Sequence, residues 1–583
     1  MPKVHLLDYV AGNIRSLVNA IEKCGYEVEW IRSPEDVKTA DKIILPGVGH
    51  FGHCLTSLSK AGYLPALHEH IKAGKPFFGI CVGLQALFAG SVEAPGVTGL
   101  GLLSTTLERF SPTNGDGSKK SIPCIGWNDA TIVHEFKASG PVTEFSTKSF
   151  YGLNPGSKYY YVHSYFVPYE QGKMEADGWT VATAKYGDQT YVGAIGKENV
   201  FATQFHPEKS GAAGLRVIKA FLDGSQWSEP IPQQGVSNGI ATISPPQASR
   251  AGGLNGLTRR IIACLDVRTN DAGDLVVTKG DQYDVREKND NKNVRNLGKP
   301  VEMAKKYYTQ SADEVTFLNI TSFRDCPVTD LPMLEILRQT SKSVFVPLTI
   351  GGGIRDMVDP GTGKEISALD VAKLYFESGA DKVSIGSDAV VAAQEYYKNG
   401  GKGSGKSGIE TISAAYGRQA VVVSVDPKRI FIKSPSEAPE GVDPKHVIKT
   451  KLSDPKTGMD HVYYACTIHG GRTTTTLTVR ALVTAVEALG AGEILLNAID
   501  RDGSNSGYDL ELIADVKSAV EIPVIASSGA GTPGHFEEVF RETNVDAALG
   551  AGMFHRGEYT VHQVKEELEK AGYLVRRWEG EDV

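Results

Sequence analysis

The sequence predicts an α/β protein of two bodies in series: a doubly wound parallel sheet, then a (β/α)8 barrel. Three observations predict it. Short apolar runs alternate with segments of helical period through both halves. A Ser-, Pro-, Gly- and Gln-rich stretch, DGSQWSEPIPQQGVSNGIATISPPQASRAGGLNG, separates them and has the composition of a flexible connector. The second half holds eight such apolar runs and partly repeats itself. The expected boundaries are 1–222 for the first body, 223–256 for the linker and 257–583 for the second body.

In the first half, Val4 to Asp8 reads as a strand, and Ile14 to Cys24 as a helix stopped by Gly25. Val28 to Ile31 and Lys42 to Leu45 read as further strands. Pro46-Gly-Val-Gly49 is a tight turn that can offer a backbone N–H to an anion. The stretch that organises this half is Lys75-Pro-Phe-Phe-Gly-Ile-Cys-Val-Gly-Leu-Gln-Ala-Leu-Phe88. Phe77 to Ile80 is a short buried strand, Cys81 sits between Gly79 and Gly83, and Leu84 to Phe88 is expected to begin a helix. Small residues around a nucleophile at a strand-to-helix turn form a nucleophile elbow, and a thiol at a helix start is favoured as thiolate. The competing reading is a buried structural cysteine. A thiol nucleophile needs a base, and the base an orienting group. Phe201-Ala-Thr-Gln-Phe-His-Pro-Glu208 offers both, as His206 and Glu208 at the end of a strand.

The GxCxGxQ stretch and the later QFHPEKS resemble the class I, triad-type glutamine amidotransferases over residues 3–222. The resemblance implies a class I glutaminase domain with Cys81 as nucleophile, His206 as base and Glu208 as orienter. Glutamine would be hydrolysed through a thioester, releasing ammonia. It places Gly49 and Val82 beside the oxyanion, and Gln85, Glu93, His163 and Ser164 around the glutamine. Tyr159-Tyr-Tyr-Val-His-Ser-Tyr165 fits the histidine-pathway branch of that family.

In the second half, Arg260 to Asp266 is a strand ending in a carboxylate. Seven runs follow: Val315–Ile320, Val344–Ile350, Lys382–Ile385, Ala420–Val425, Glu493–Ile499, Ile522–Ala526 and Ala547–Leu549. An open doubly wound sheet is the alternative to a barrel. The repeat favours closure: SADEVTFLNI resembles GAGEILLNAI, VPLTIGGG resembles IPVIASSG, and DKVSIG is echoed by DAALG. Duplicated Gly-rich strand ends predict two phosphate cradles, hence a substrate phosphorylated at both ends. Asp266, Asp426, Asp500 and Asp502 stand at C-terminal strand ends, the rim where barrel enzymes do chemistry. Asp266 and Asp426, on opposed strands, make a workable acid/base pair. Helix capping is the plain alternative for each alone.

IIACLDV, GGGIRD, VSVDPKR, ILLNAIDRDGSNSGYD and VIASSGAG resemble the cyclase of the imidazole glycerol phosphate synthase family. With the first half, the match is to its fused, fungal-type form. The resemblance implies that ammonia and a doubly phosphorylated ribulosyl-formimino-aminoimidazole-carboxamide ribonucleotide (PRFAR) give imidazole glycerol phosphate and the purine intermediate AICAR. It makes Asp266 and Asp426 the acid/base pair. Gly352, Gly386 and Ser387 would hold one phosphate, and Ser528, Gly529, Ala551 and Gly552 the other. Lys279, Asp500, Asp502 and Gly503 are further substrate contacts. Arg260, Glu314, Lys382 and Glu493, at strand starts, match a charged ring at the barrel base and are expected to gate ammonia. A salt-bridge ring that only stabilises the fold is the alternative. Residues 281–298 read as a mobile loop that could close over substrate. Residues 427–475 form a long polar insertion after strand five, a lid or a surface hairpin.

The chain has 583 residues, with 61 Lys and Arg against 69 Asp and Glu, a formal charge of −8. No basic block marks a nucleic-acid partner, and no apolar run is long enough for a membrane. Seven scattered Cys without a Cys-x-x-Cys pair give neither a metal site nor a disulfide framework. No cofactor is expected, and a cytoplasmic chain working as a monomer is. Two rivals stand: a pyridoxal phosphate-type ammonia-channelling synthase, which wants an imine-forming Lys at a strand end, and a non-catalytic scaffold that binds phosphorylated metabolites.

Overall fold

The computed structural model describes residues 1–7, 13–47, 49–133, 149–229, 255–269, 275–278, 299–320, 331–359 and 363–580. Lys279, the 281–298 loop and most of the linker lie outside the described residues. Contacts divide the chain into two units. The first is Met1–Thr258 with Ser341–Val346 and Arg576–Val583; the second is Arg259–Thr340 with Pro347–Val575.

The first unit is built on an eight-stranded sheet. Glu27–Ile31, Lys3–Leu7, Ile43–Leu45, Phe77–Ile80 and Val200–Thr203 run parallel, in that spatial order. Gln189–Lys197, Thr180–Tyr186 and Thr131–Ile132 extend the sheet antiparallel. The helix Arg15–Lys23 buries an unbroken run from Ser16 to Ile21, polar Ser16 and Asn19 included, so burial extends beyond the apolar face that its spacing predicts. One local expectation is corrected. The helix after Cys81 is only Val82–Gln85, and Phe88 opens a strand, Phe88–Ser91. Leu84, Ala86, Leu87 and Phe88 are all fully buried, so the run is apolar throughout and helical period cannot be told from strand there.

The second unit is a closed barrel. Arg260–Thr269, Glu314–Asn319, Leu348–Gly351, Lys382–Ile385, Val421–Val425, Glu493–Asn497, Val524–Ser527 and Ala547–Gly550 pair in parallel in sequence order. Arg260–Ala263 then pair with Ala547–Gly550, which closes the ring and rules out the open sheet. The third strand begins at Leu348 rather than Val344, and the seventh at Val524 rather than Ile522. A Pro lies just before each, Pro347 and Pro523, where a ladder N–H would be missing.

The internal repeat is structural. Asp381 accepts a hydrogen bond from Leu348 N at 2.8 Å, and its counterpart Asp546 accepts one from Val524 N at 2.9 Å. Gly352 and Gly353 have φ of 99° and 77°, while their counterparts Ser528 and Gly529 have 74° and 97°. Two aligned strand ends thus turn through the same left-handed pair of residues.

The insertion is more than a hairpin. Pro427–Ile432, Ile448–Lys449, His461–Ile468 and Thr473–Thr478 form a four-stranded antiparallel sheet. Val442, Tyr463 and Ala465 give it a small core, packed by Ile430, Ile432, Ala438 and Val447. Its apolar residues are spread thinly over many polar ones, so they gather only when the sheet forms. Among the described residues no helix is long and apolar enough to cross a membrane.

Candidate active sites

Sheet order builds the first site. Phe77–Ile80 and Val200–Thr203 are neighbours, in register from Phe77 opposite Val200 to Ile80 opposite Thr203. The residues just beyond them, Cys81 and Gln204 to His206, therefore emerge at one edge. Cys81 N donates to Thr203 O at 2.7 Å. Cys81 has φ 52° and ψ −104°, a conformation costly for a residue with a side chain. The surroundings enforce it: a Cβ on Gly83 would collide with Leu45 O, and one on Gly79 with the Gly83 carbonyl. This is the predicted elbow, with glycines required by close backbone approach.

His206 Nδ1 lies 2.8 Å from Glu208 Oε1, and both side chains are buried. Burial alone would push the imidazole down. The Glu208 carboxylate and the Cys81 sulfur outweigh it and hold His206 well above its ordinary value. A buried thiol, an imidazole beside it that can carry a proton and a carboxylate behind that imidazole are thus assembled, the set of groups that nucleophilic catalysis calls for.

Gln85 follows Cys81 by one helical turn and is buried. Glu93 accepts a hydrogen bond from Phe51 N at 2.7 Å, and burial pushes its carboxyl up. His163 Nδ1 is 2.9 Å from Tyr165 O, and burial lowers its ring to about 4, so it is neutral and donates from Nδ1 to that carbonyl. Its buried Nε2, without a protein partner, is left as an acceptor. Ser164 is half-buried on the same segment. Gly49 turns with φ 105°, and Val82 follows Cys81.

In the barrel, three carboxylates meet at the C-terminal mouth. Burial, then the charge of Asp502, pushes Asp266 up to about 7. Asp426 is also raised by burial; Asn497 works against this and Asp502 adds to it. Asp502 thus acts on both members of the proposed pair. Two residues that the sequence reading missed hold Asp426 in place. Asn497 Nδ2 donates to its carboxylate at 3.1 Å, and Thr467 donates to its backbone carbonyl from N at 3.0 Å and from Oγ1 at 2.7 Å. Asn497 stands at the end of strand six, where a search for acids passes over it. Thr467 belongs to the insertion and has no sequence signal.

The insertion reaches other predicted contacts as well. His469 N donates to Ser387 Oγ at 2.9 Å. Arg429 N donates to the exposed Asp500 carboxylate at 2.7 Å, while its guanidinium pairs with Asp509 at 2.8 Å. Asp500 is therefore engaged by the chain itself. Gly386 and Ala551, at equivalent places in the repeat, cap the helices Ser387–Lys398 and Gly552–His555. Their φ, ψ of −106°, −99° and −131°, −74° are alike and outside the ordinary regions. Gly503 turns with φ 64° beside Asp502.

At the barrel base the four charged strand starts form one ring. Arg260 pairs with Glu314 at 3.2 Å and with Glu493; Lys382 pairs with Glu314 at 2.7 Å and Glu493 at 2.8 Å. All four side chains are buried. On strands of the same barrel, Ile262, Cys264, Val422, Leu495, Ile525, Ala547 and Leu549 form a buried apolar cluster.

The raised Asp266 makes a stability prediction. An unfolded Asp titrates near ~3.9. A folded value of about 7 means that the native state resists ionising it. Stability is thus lost as pH rises from the lower value through the upper, and the full penalty remains above it. Asp266→Asn should raise the melting temperature at pH 8 and leave it unchanged at pH 4. The shift is roughly 2–4 °C for each kcal/mol relieved. Calorimetry at the two pH values checks this; equal shifts at both would contradict it.

Together these features define a class: a triad-type glutaminase joined to a (β/α)8 barrel with an acidic mouth. Family models agree. Residues 5–223 match the class I glutamine amidotransferases, and residues 260–560 match the histidine biosynthesis proteins. The chain is 64% identical to the imidazole glycerol phosphate synthase hisHF of Emericella nidulans, over 99% of this chain and all of that one. It is 53% identical to that of Schizosaccharomyces pombe, over 98% of this chain and 99% of the relative. The Arabidopsis thaliana protein, described as chloroplastic, is 46% identical over 98% of this chain and 89% of its own length. The chain belongs to the imidazole glycerol phosphate synthase family, in its fused two-domain form. It is an enzyme of histidine biosynthesis with glutamine amidotransferase and cyclase domains.

Proposed function

We propose that the chain hydrolyses glutamine at Cys81 and delivers the ammonia to the barrel, where PRFAR becomes imidazole glycerol phosphate and AICAR. Cys81 attacks the glutamine amide, His206 moves the proton and Glu208 orients His206. Gly49 and Val82 stabilise the oxyanion, and Gln85, Glu93, His163 and Ser164 hold the amino acid. Ammonia adds to the ketose carbonyl, an imine forms and the ring closes as AICAR leaves. Asp266 and Asp426 carry the proton transfers, with Asp500, Asp502, Gly503 and Lys279 as further substrate contacts. One phosphate rests on Gly352, Gly386 and Ser387; the other rests on Ser528, Gly529, Ala551 and Gly552. The observation that carries the reading is the pairing, in one chain, of a buried Cys81–His206–Glu208 set with two raised carboxylates at a barrel mouth. The proposed working unit is one chain, in the cytoplasm, with 1–222 and 257–583 as functional halves.

Arg260, Glu314, Lys382 and Glu493 act in this reading as the gate. Free ammonia is mostly ammonium near neutral pH, a poor nucleophile, so direct transfer suits the chemistry. The test supplies amide-¹⁵N glutamine with PRFAR in excess unlabelled ammonium. Product carrying mainly ¹⁵N supports delivery within the protein, and product with the isotope ratio of the solvent pool contradicts it. Lys382→Ala should lower the ¹⁵N fraction and produce more glutamate per product. Removing one member of a buried ion pair typically costs about 3–5 kcal/mol of stability as well. Full coupling in Lys382→Ala would remove the gate.

A further inference from the structure

We propose that Gln204 is a positioning residue of the glutaminase, a fixed amide donor to the Cys81 sulfur whose polarity is dictated from the Tyr165 backbone through Gln85. The proposal rests on the assignment of Cys81 as nucleophile.

Register puts the residue there. Thr203 lies opposite Ile80, so the next residues along, Gln204 and Cys81, leave the sheet side by side. Gln204 is fully buried, and its backbone N is fixed on Gly193 O at 2.8 Å. Its side-chain nitrogen lies 3.4 Å from Cys81 Sγ, while its oxygen lies 3.1 Å from Gln85 Nε2. Gln85 Nε2 is also 3.2 Å from Tyr165 O.

The two ends of a glutamine amide are alike in shape, so the order of donors needs an anchor. Tyr165 O supplies it. A backbone carbonyl can only accept, so Gln85 must turn its NH2 group toward it. That same NH2 faces Gln204, which must therefore present its oxygen. The NH2 of Gln204 is then left against the sulfur. Reversing Gln204 alone would set two donors against each other and a carbonyl oxygen against the nucleophile. Both side chains are buried, where such a mismatch has no water to relieve it.

A donor at sulfur favours the form that carries negative charge, which is the attacking form. The donor acts on the free nucleophile and on the sulfur released when the thioester is hydrolysed. It does not act on the oxyanion. His206 takes the proton from one direction, and Gln204 holds the sulfur from another.

The experiment uses the full-length chain. Gln204→Met keeps length without a donor; Gln204→Glu keeps shape and still accepts from Gln85, but replaces the donor with a carboxylate oxygen. Iodoacetamide labelling of Cys81 is followed by peptide mass spectrometry from pH 5 to 10, beside kcat and KM for glutamine. Gln204→Met should label about tenfold more slowly near neutral pH and recover the unmodified rate at the alkaline end. Its kcat should fall with little change in KM, and Gln204→Glu should be displaced further. If Gln204→Met fails to fold, Gln204→Glu decides alone. A folded variant whose labelling profile coincides with that of the unmodified chain overturns the proposal, even if its activity is low. Absence of glutaminase activity in the unmodified chain would instead overturn the function on which the proposal rests.

Discussion

Cys81→Ala abolishes product formation from glutamine and leaves product formation from ammonium salts intact. The expected loss with glutamine is about 10⁴-fold or more, the scale seen when a nucleophile that works as one unit with its base is removed. His206 and Glu208 cannot compensate, because their proton transfer has value only once the sulfur attacks. The barrel should be unaffected, since its carboxylates belong to the other compact unit of the chain. Alanine is also tolerable sterically: it removes only the sulfur from a site where the backbone turn is imposed by Gly79 and Gly83. The assay is AICAR release with glutamine and with ammonium chloride at alkaline pH, in parallel. Loss of both activities in a folded variant would count against two separable chemistries. Retention of the glutamine reaction would remove Cys81 from the mechanism.

Asp426→Asn gives the complementary pattern. Product formation should fall by about 10²–10⁴-fold with either nitrogen source, the usual range for losing a general acid or base. Glutamine hydrolysis should retain its intact triad. Asparagine is close to isosteric, and the Thr467 bonds are made to the backbone carbonyl at 426, so they survive. Asn497 Nδ2 can still donate to the remaining amide oxygen. The variant therefore tests proton transfer with the geometry retained, which Asp426→Ala would not. Steady-state measurement with both nitrogen sources checks it. A deficit confined to glutamine would place Asp426 in the coupling rather than in cyclisation.

Much of both candidate sites is legible in the chain because each group is marked by its immediate neighbours. Cys81 lies between two glycines, and His206 is two residues from its carboxylate. Asp266 and Asp426 stand at the ends of apolar runs, and the repeat shows itself as aligned segments. What was misread was misread for local reasons. The helix after Cys81 ends early because every nearby residue is apolar, so burial masks the period. The insertion, read as a lid or a surface hairpin, is a four-stranded sheet because its few apolar residues make a core only across strands.

Read alone, the sequence gives away the fold class of each half and points to Cys81, to His206 with Glu208, to the strand-end acids and to the duplicated Gly-rich strand ends. These depend on residue types a few positions apart, where backbone geometry leaves little choice. Tertiary structure adds the pairing of first and eighth strands that closes the barrel, the partners that each charge of the ring takes, and the burial and Asp502 charge that raise Asp266. It also decided that Gln204 turns a donor toward sulfur. Each of these is an interaction between residues far apart in the chain. Strand order and register set such distances, and burial then sets their electrostatic strength.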